Sequence, residues 1–127
     1  MTSPRISDAG LANLEHLTNL EHLNLAGTSI TDSGLRHLSA LKKLQGLCLV
    51  ATGVSDAGLA HLAGLVDLRS VSLADTLVTD AGLTSVKGWK KLESLILDGT
   101  RVTEAGKQLV QGFAPAAKVY VSSARFK

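Results

Sequence analysis

The sequence predicts an α/β solenoid: a short right-handed arc with about five parallel strands on the concave face and helices on the convex face. Two observations carry that prediction. Four consecutive segments, LEHLNLAGTSITDSGLRHLSALKK, LQGLCLVATGVSDAGLAHLAGLVD, LRSVSLADTLVTDAGLTSVKGWKK and LESLILDGTRVTEAGKQLVQGFAP, repeat one pattern without insertion or deletion. They start at Leu20, Leu44, Leu68 and Leu92, a constant 24 residues apart, and a fixed period of that length marks stacked supersecondary units. Within each unit the hydrophobic spacing then switches from every second residue to helical spacing.

The elements follow in chain order within one domain, 1–127. A half unit at 6–19 (ISDAGLANLEHLTN) predicts a helix over 8–17 with no strand before it. The full repeats occupy 20–43, 44–67, 68–91 and 92–115, and a degenerate terminal unit occupies 116–127. Each repeat opens with L-x-x-L-x-L. Its alternating residues (Leu23 and Leu25, Leu47 and Leu49, Val71 and Leu73, Leu95 and Leu97) describe a short strand with one buried face. The second half carries Leu35, Leu38 and Leu41, then Leu59, Leu62 and Leu65, then Leu83, Val86 and Trp89, the spacing of a helix stripe facing a core. Between the halves, Thr31, Ser55, Thr79 and Thr103, or the acid after each, are expected helix N-caps. In the last repeat Lys107 replaces the leucine of that stripe, Phe113 takes the Trp89 position, and Pro115 stops the helix before a terminal strand at 118–121. Pro115, Lys118 and Arg125 would blunt the edge of that strand. Parallel strands lie about 4.8 Å apart and helices about 10 Å apart, so the helical side fans out and the sheet becomes the inner wall. The first strand, at 20–25, has an unpaired edge, with three readings: the helix over 8–17 caps it, a second copy pairs with it, or the chain was cut from a longer array.

The motif L-x-x-L-x-L-x-x-T-x-I/V-T/S-D-x-G-L resembles the leucine-rich repeat, in the I-T-D-x-G-L form found in many bacterial proteins, and is similar to F-box-associated leucine-rich repeats. The resemblance runs from Ile6 to Val121. It implies a right-handed leucine-rich-repeat solenoid that acts by binding another protein. This chain carries Thr28, Thr52, Thr76 and Thr100 where many such repeats carry Asn or Cys. The buried amide ladder of the family is thereby implied to become a hydroxyl ladder bonded to the turn backbone.

Composition narrows the function classes. Hydrophobic residues make up 45% and aromatics 3%, so the core is built of Leu, Val, Ile and Ala. A formal net charge of +2 supplies no strong attraction to nucleic acid or membrane. Cys48 is the single cysteine and cannot form an internal disulfide, which fits a reducing compartment. MTSPRISDAG lacks the apolar run of a signal peptide, and no segment is long and apolar enough to span a bilayer. The expectation is a soluble cytoplasmic protein.

Most chemistry-bearing residues recur with the repeat and are assigned to building it. Asp8, Asp32, Asp56, Asp80 and Glu104 sit at helix starts, where an acid suits the dipole. Gly10, Gly34, Gly58, Gly82 and Gly106 mark close backbone packing in the first helical turn; they form no phosphate-binding loop. His37 and His61 share a repeat position on the convex face and read as exposed, because two imidazoles do not complete a zinc site. Lys42, Lys43, Lys90 and Lys91, with Lys87 and Arg36, read as a solvated face, lacking the aromatics of a nucleic-acid surface. Cys48 is flanked by Asn24, Ser72, Gly46 and Val50, and none of these supplies a base to activate a thiolate. No catalytic, cofactor-binding or metal-ligating residue is assigned, and the chain is not read as an enzyme.

The variable positions of the strands remain. Their outward ladders are His22-Gly46-Ser70-Ser94-Lys118, Asn24-Cys48-Ser72-Ile96-Tyr120 and Ala26-Val50-Ala74-Asp98-Ser122, with Arg69 and Glu93 placed to pair across strands. Asn24, Cys48, Ser72, Ile96, Asp98 and Tyr120 are the candidate partner-binding residues, Tyr120 and Ile96 being the main anchors. The alternative reading is a structural, self-associating fragment of a longer array without binding activity of its own.

Overall fold

The computed structural model describes residues 6–122, so the expected role of Arg125 lies outside the described residues. Among the described residues, five strands form one parallel sheet in chain order: β1 (His22–Asn24), β2 (Gly46–Cys48), β3 (Ser70–Ser72), β4 (Ser94–Ile96) and β5 (Lys118–Tyr120). The 24-residue register is kept throughout, with Leu23 opposite Leu47, Leu47 opposite Val71, Val71 opposite Leu95 and Leu95 opposite Val119. These central residues are buried, while those on either side face the concave surface. The strands are shorter than the expected 20–25 and 118–121. Pairing nevertheless continues past them, since the Leu25 and Gly27 N–H groups donate to the Cys48 and Val50 carbonyls at 2.8 Å each.

The helices are α1 (Asp8–Leu11), α2 (Asp32–Leu35), α3 (Asp56–His61), α4 (Asp80–Leu83) and α5 (Glu104–Phe113). The first four stop short of the extent that the leucine stripe suggested. After α1, α2 and α4 the backbone tightens into 3₁₀ turns at Ala12–Leu14, Arg36–Ala40 and Thr84–Val86. The stripe is still buried, because a 3₁₀ turn eclipses every third side chain and so serves Leu35-Leu38-Leu41 and Leu83-Val86-Trp89 as well as an α-helix does. The final helix, α5, reaches ten residues before Ala114 and Pro115 end it. Trp89 is fully buried, and its indole N–H donates to the Leu62 carbonyl of the preceding coil at 3.1 Å.

Thr28, Thr52, Thr76 and Thr100 are buried, and each hydroxyl donates to the carbonyl three residues before it, at Leu25, Leu49, Leu73 and Leu97, at 2.6–2.8 Å. The hydroxyl ladder therefore exists, with every rung closed inside its own coil. One residue before each threonine the chain turns left-handed: φ is 71° at Gly27, 57° at Ala51, 58° at Asp75 and 76° at Gly99. Only glycine adopts this region without a Cβ penalty, which is about 1–2 kcal/mol for other residues. Ala51→Gly is therefore expected to stabilise the chain by about 0.5–1 kcal/mol, the relief exceeding the extra entropy of the unfolded chain. A urea midpoint that falls instead contradicts the strained turn.

Candidate functional site: the concave face and what frees it

The recurring acids and glycines belong to the scaffold, which leaves the variable positions for binding. The structure revises the capping expectation. Thr31, Ser55, Thr79 and Thr103 do occupy N-cap positions, but among them only Thr79 accepts from its own helix, from Ala81 N–H at 3.2 Å. The acid of the preceding coil reaches across instead. One oxygen of Asp8, Asp32, Asp56 and Asp80 accepts the N–H of Thr31, Ser55, Thr79 and Thr103 at 2.7, 2.6, 2.7 and 2.8 Å, and the other accepts the hydroxyl of the same residue. Each coil is thus stapled to the next by a two-point, charge-assisted clasp. Burial pushes the Asp8 carboxyl up, but hydrogen bonds from Thr31, Ser33 and the Gly34 backbone outweigh it and hold Asp8 below its ordinary value.

The staple also explains the glycine at the third helical position. A Cβ added at Gly34, Gly58, Gly82 or Gly106 would fall inside contact distance of the preceding coil's carboxylate oxygen. At Gly82 it would also lie 2.8 Å from Asp56 Cγ. Close packing was expected at these positions; the carboxylate as its cause was not.

On the convex side, His61 is exposed as expected, but His37 is not. Its Nδ1 is hydrogen-bonded to Glu15 Oε1 and its side chain is only 16% exposed. Glu15 precedes His37 by nearly one repeat, so stacking delivers the carboxylate to the ring. Among the described residues, no group of three or more His, Cys, Asp or Glu is placed to hold a metal ion. Where the chain returns to the strands, Lys43 donates to Asn19 at 3.1 Å and Lys91 to Asp67 at 2.9 Å. The Lys91 hydrogen bond and charge hold the Asp67 carboxyl below its ordinary value.

The concave wall keeps the variable side chains. Asn24, Cys48, Ser72, Ile96 and Tyr120 form one continuous row across the five strands. Tyr120 is 47% exposed, Cys48, Ser72 and Ile96 are half-buried, and Asn24 is exposed. At normal strand spacing the row is about 19 Å long, the reach of about six residues of extended chain. Asp98 lies one rung beyond, half-buried, at the C-terminal ends of the strands. Arg69 and Glu93 pair across strands at 3.1 Å, with both side chains largely in solvent.

The structure divides the six candidates into two groups. Asn24, Cys48 and Ser72 line a hollow of about 370 Å³ over β1–β3, together with His22, Gly46 and Ser70. Ile96, Asp98 and Tyr120 stand apart on β4, β5 and the rung beyond. His22, Gly46 and Ser70 were not among the expected contacts. Gly46 was the available signal: it is the one position without a side chain in the outward strand ladders, and His22 is opposite it. The imidazole leans into the space that Gly46 leaves, so that a Cβ there would lie 2.6 Å from His22 Nδ1.

No family model and no curated protein matches the sequence. Solved structures match the fold. The chain superposes on a leucine-rich-repeat protein of Leptospira interrogans with TM-score 0.67 and 20% identity, covering 85% of this chain and 27% of that one. Internalin C2 of Listeria monocytogenes gives TM-score 0.68 and 21% identity over 87% of this chain and 55% of its own. Another internalin (inlF) of that species gives 0.67 and 19% over 90% and 33%. The chain spans between about a quarter and just over half the length of these structures. Its fold is the leucine-rich-repeat solenoid. No helix among the described residues is long and apolar enough to cross a membrane.

Proposed function

We propose that this chain is a protein–protein interaction module that binds its partner through the concave sheet face. The observation that carries the reading is the division of labour between positions. The recurring Leu, Thr, Asp and Gly are occupied in packing, turns and staples, whereas the row Asn24-Cys48-Ser72-Ile96-Tyr120 holds nothing in the core and is open to solvent. A rigid row of side chains at fixed spacing is the recognition device of solenoids. The mechanism is passive recognition of an extended segment, with Tyr120 and Ile96 as the apolar anchors and Asp98 at their rim. The reading carries no catalytic step, cofactor, nucleic acid or membrane, and Cys48 as the sole cysteine supports a reducing, cytoplasmic setting.

Peptides selected from a random library on the intact chain test this. Tyr120→Ala and Ser72→Arg are expected to weaken them at least tenfold while the unfolding free energy stays within about 1 kcal/mol of wild type, since Tyr120 is exposed and Ser72 is half-buried on the solvent-facing side of the sheet. Binders indifferent to both variants, yet lost on Lys90→Glu in the return from helix to strand, contradict it.

The alternative, self-association through β1, has the open strand edge in its favour. Alternate residues of a parallel strand turn their backbone groups to opposite neighbours, so Ala26 N–H points to that edge. There it already donates to Asn24 Oδ1 at 3.0 Å, which removes one of the few donors an added strand would use. A constant monomer mass in size-exclusion chromatography with light scattering over a concentration series is therefore expected; a dimer growing with concentration supports the alternative.

A further inference from the structure

The hollow over β1–β3 has a hydrogen-bonding character specific enough to name what it takes. Ala26 N–H can only donate, so the Asn24 atom facing it is the carbonyl oxygen, and the Asn24 NH₂ is turned away from that contact as a donor. Among the described residues, the Ser70 and Ser72 hydroxyls, the His22 ring and the Cys48 thiol make no hydrogen bond, and no Lys, Arg, Asp or Glu lines the hollow. Resting on the concave-face reading, we propose that this hollow is a subsite for an uncharged carboxamide, the side chain of Asn or Gln in an extended partner segment.

Charged and aliphatic side chains fit it less well. An ammonium or guanidinium would be desolvated there without an opposite charge, and a carboxylate would have the His22 ring as its single neighbour able to carry a positive charge. An aliphatic side chain would cover the Asn24 NH₂ and two serine hydroxyls and leave them unpaired, which costs more than the contact returns. A carboxamide offers an acceptor to the Asn24 NH₂ and donors to serine hydroxyls, which rotate to suit. The volume of about 370 Å³ leaves room for the main chain on either side of it. The His22 ring, seated over Gly46, bounds one side.

Library-selected peptides supply the test, resynthesised with the Asn or Gln changed to Glu or to Leu. On the wild-type chain both changes are expected to weaken binding at least tenfold. Asn24→Asp keeps an oxygen for Ala26 N–H but turns the outward donor into an acceptor, and is expected to weaken the carboxamide peptide at least fivefold. Ser72→Ala, which leaves the strand unaltered, is expected to weaken it about threefold. Selected peptides without a carboxamide, a Glu version that binds as tightly, or indifference to both Asn24→Asp and Ser72→Ala each overturn the subsite. Tyr120→Ala separates this outcome from the parent reading. Peptides that lose affinity on Tyr120→Ala alone leave concave-face binding standing and remove the subsite, whereas peptides indifferent to all three variants remove both.

Discussion

Trp89→Ala is expected to destabilise the chain by about 4 kcal/mol. The indole is wholly buried and occupies the stripe position held by Leu41 and Leu65 in the preceding coils. Truncation removes its transfer free energy and leaves a cavity that neighbouring coils, fixed by the sheet on one side and the staples on the other, close only partly; such losses run to about 3–5 kcal/mol. The Leu62 carbonyl also loses its partner at 3.1 Å, about 1 kcal/mol more when it stays buried. A domain of this size has only about 5–15 kcal/mol in hand. Because solenoid stability is a chain of neighbour terms, the coils on either side of Trp89 are expected to loosen first. Urea unfolding followed by far-UV circular dichroism measures this without the tryptophan signal. Trp89→Phe, which copies the Phe113 solution one coil on, should cost roughly half as much. A cost below about 1 kcal/mol for the alanine variant would place Trp89 outside the core.

Gly82→Ala is the second large effect, and its sign is the informative part. In an ordinary helix the change stabilises by about 0.5–1 kcal/mol. Here the new methyl group meets the Asp56 carboxylate, 2.8 Å from its Cγ, and pushes it off Thr79. Losing the clasp, with its charged acceptor, costs about 2–3 kcal/mol, and the helix gain offsets only part of that. Asp56→Ala alone loses the same clasp and is expected to cost about 2 kcal/mol. In the Asp56→Ala background the obstacle is gone, apart from Asp56 Cβ at 3.0 Å, so Gly82→Ala should then cost less than about 1 kcal/mol. The two changes are therefore strongly non-additive. Additive losses would mean that glycine and carboxylate do not act as one unit.

These two sites show how far the sequence carries. The place of Trp89 was legible because one coil's leucine stripe, read across to the next, leaves it no other surroundings. The three outward strand ladders were legible for the same reason: a constant period fixes which residues meet. The carboxylates were misjudged because capping rules are local, linking an acid to its own helix, whereas stacking brings the next coil's N-cap 23 residues later into closer reach. His37 shows the same effect, its partner Glu15 lying 22 residues before it. The left-handed turns at Ala51 and Asp75 carried an unread signal, since Gly27 and Gly99 occupy the same repeat position. Of the site, the row of side chains was legible and the hollow was not, because a constant period does not fix how the His22 ring is seated over Gly46.

The central claim is that recognition belongs to the variable strand positions and scaffolding to the recurring ones. Its most direct test is amide chemical-shift mapping of the isotope-labelled chain with a selected peptide. The account predicts the largest changes within β1–β5, at 22–24, 46–48, 70–72, 94–96 and 118–120, with α1–α4 nearly silent. Changes confined to the helices, or to Lys42, Lys43, Lys90 and Lys91, would contradict it.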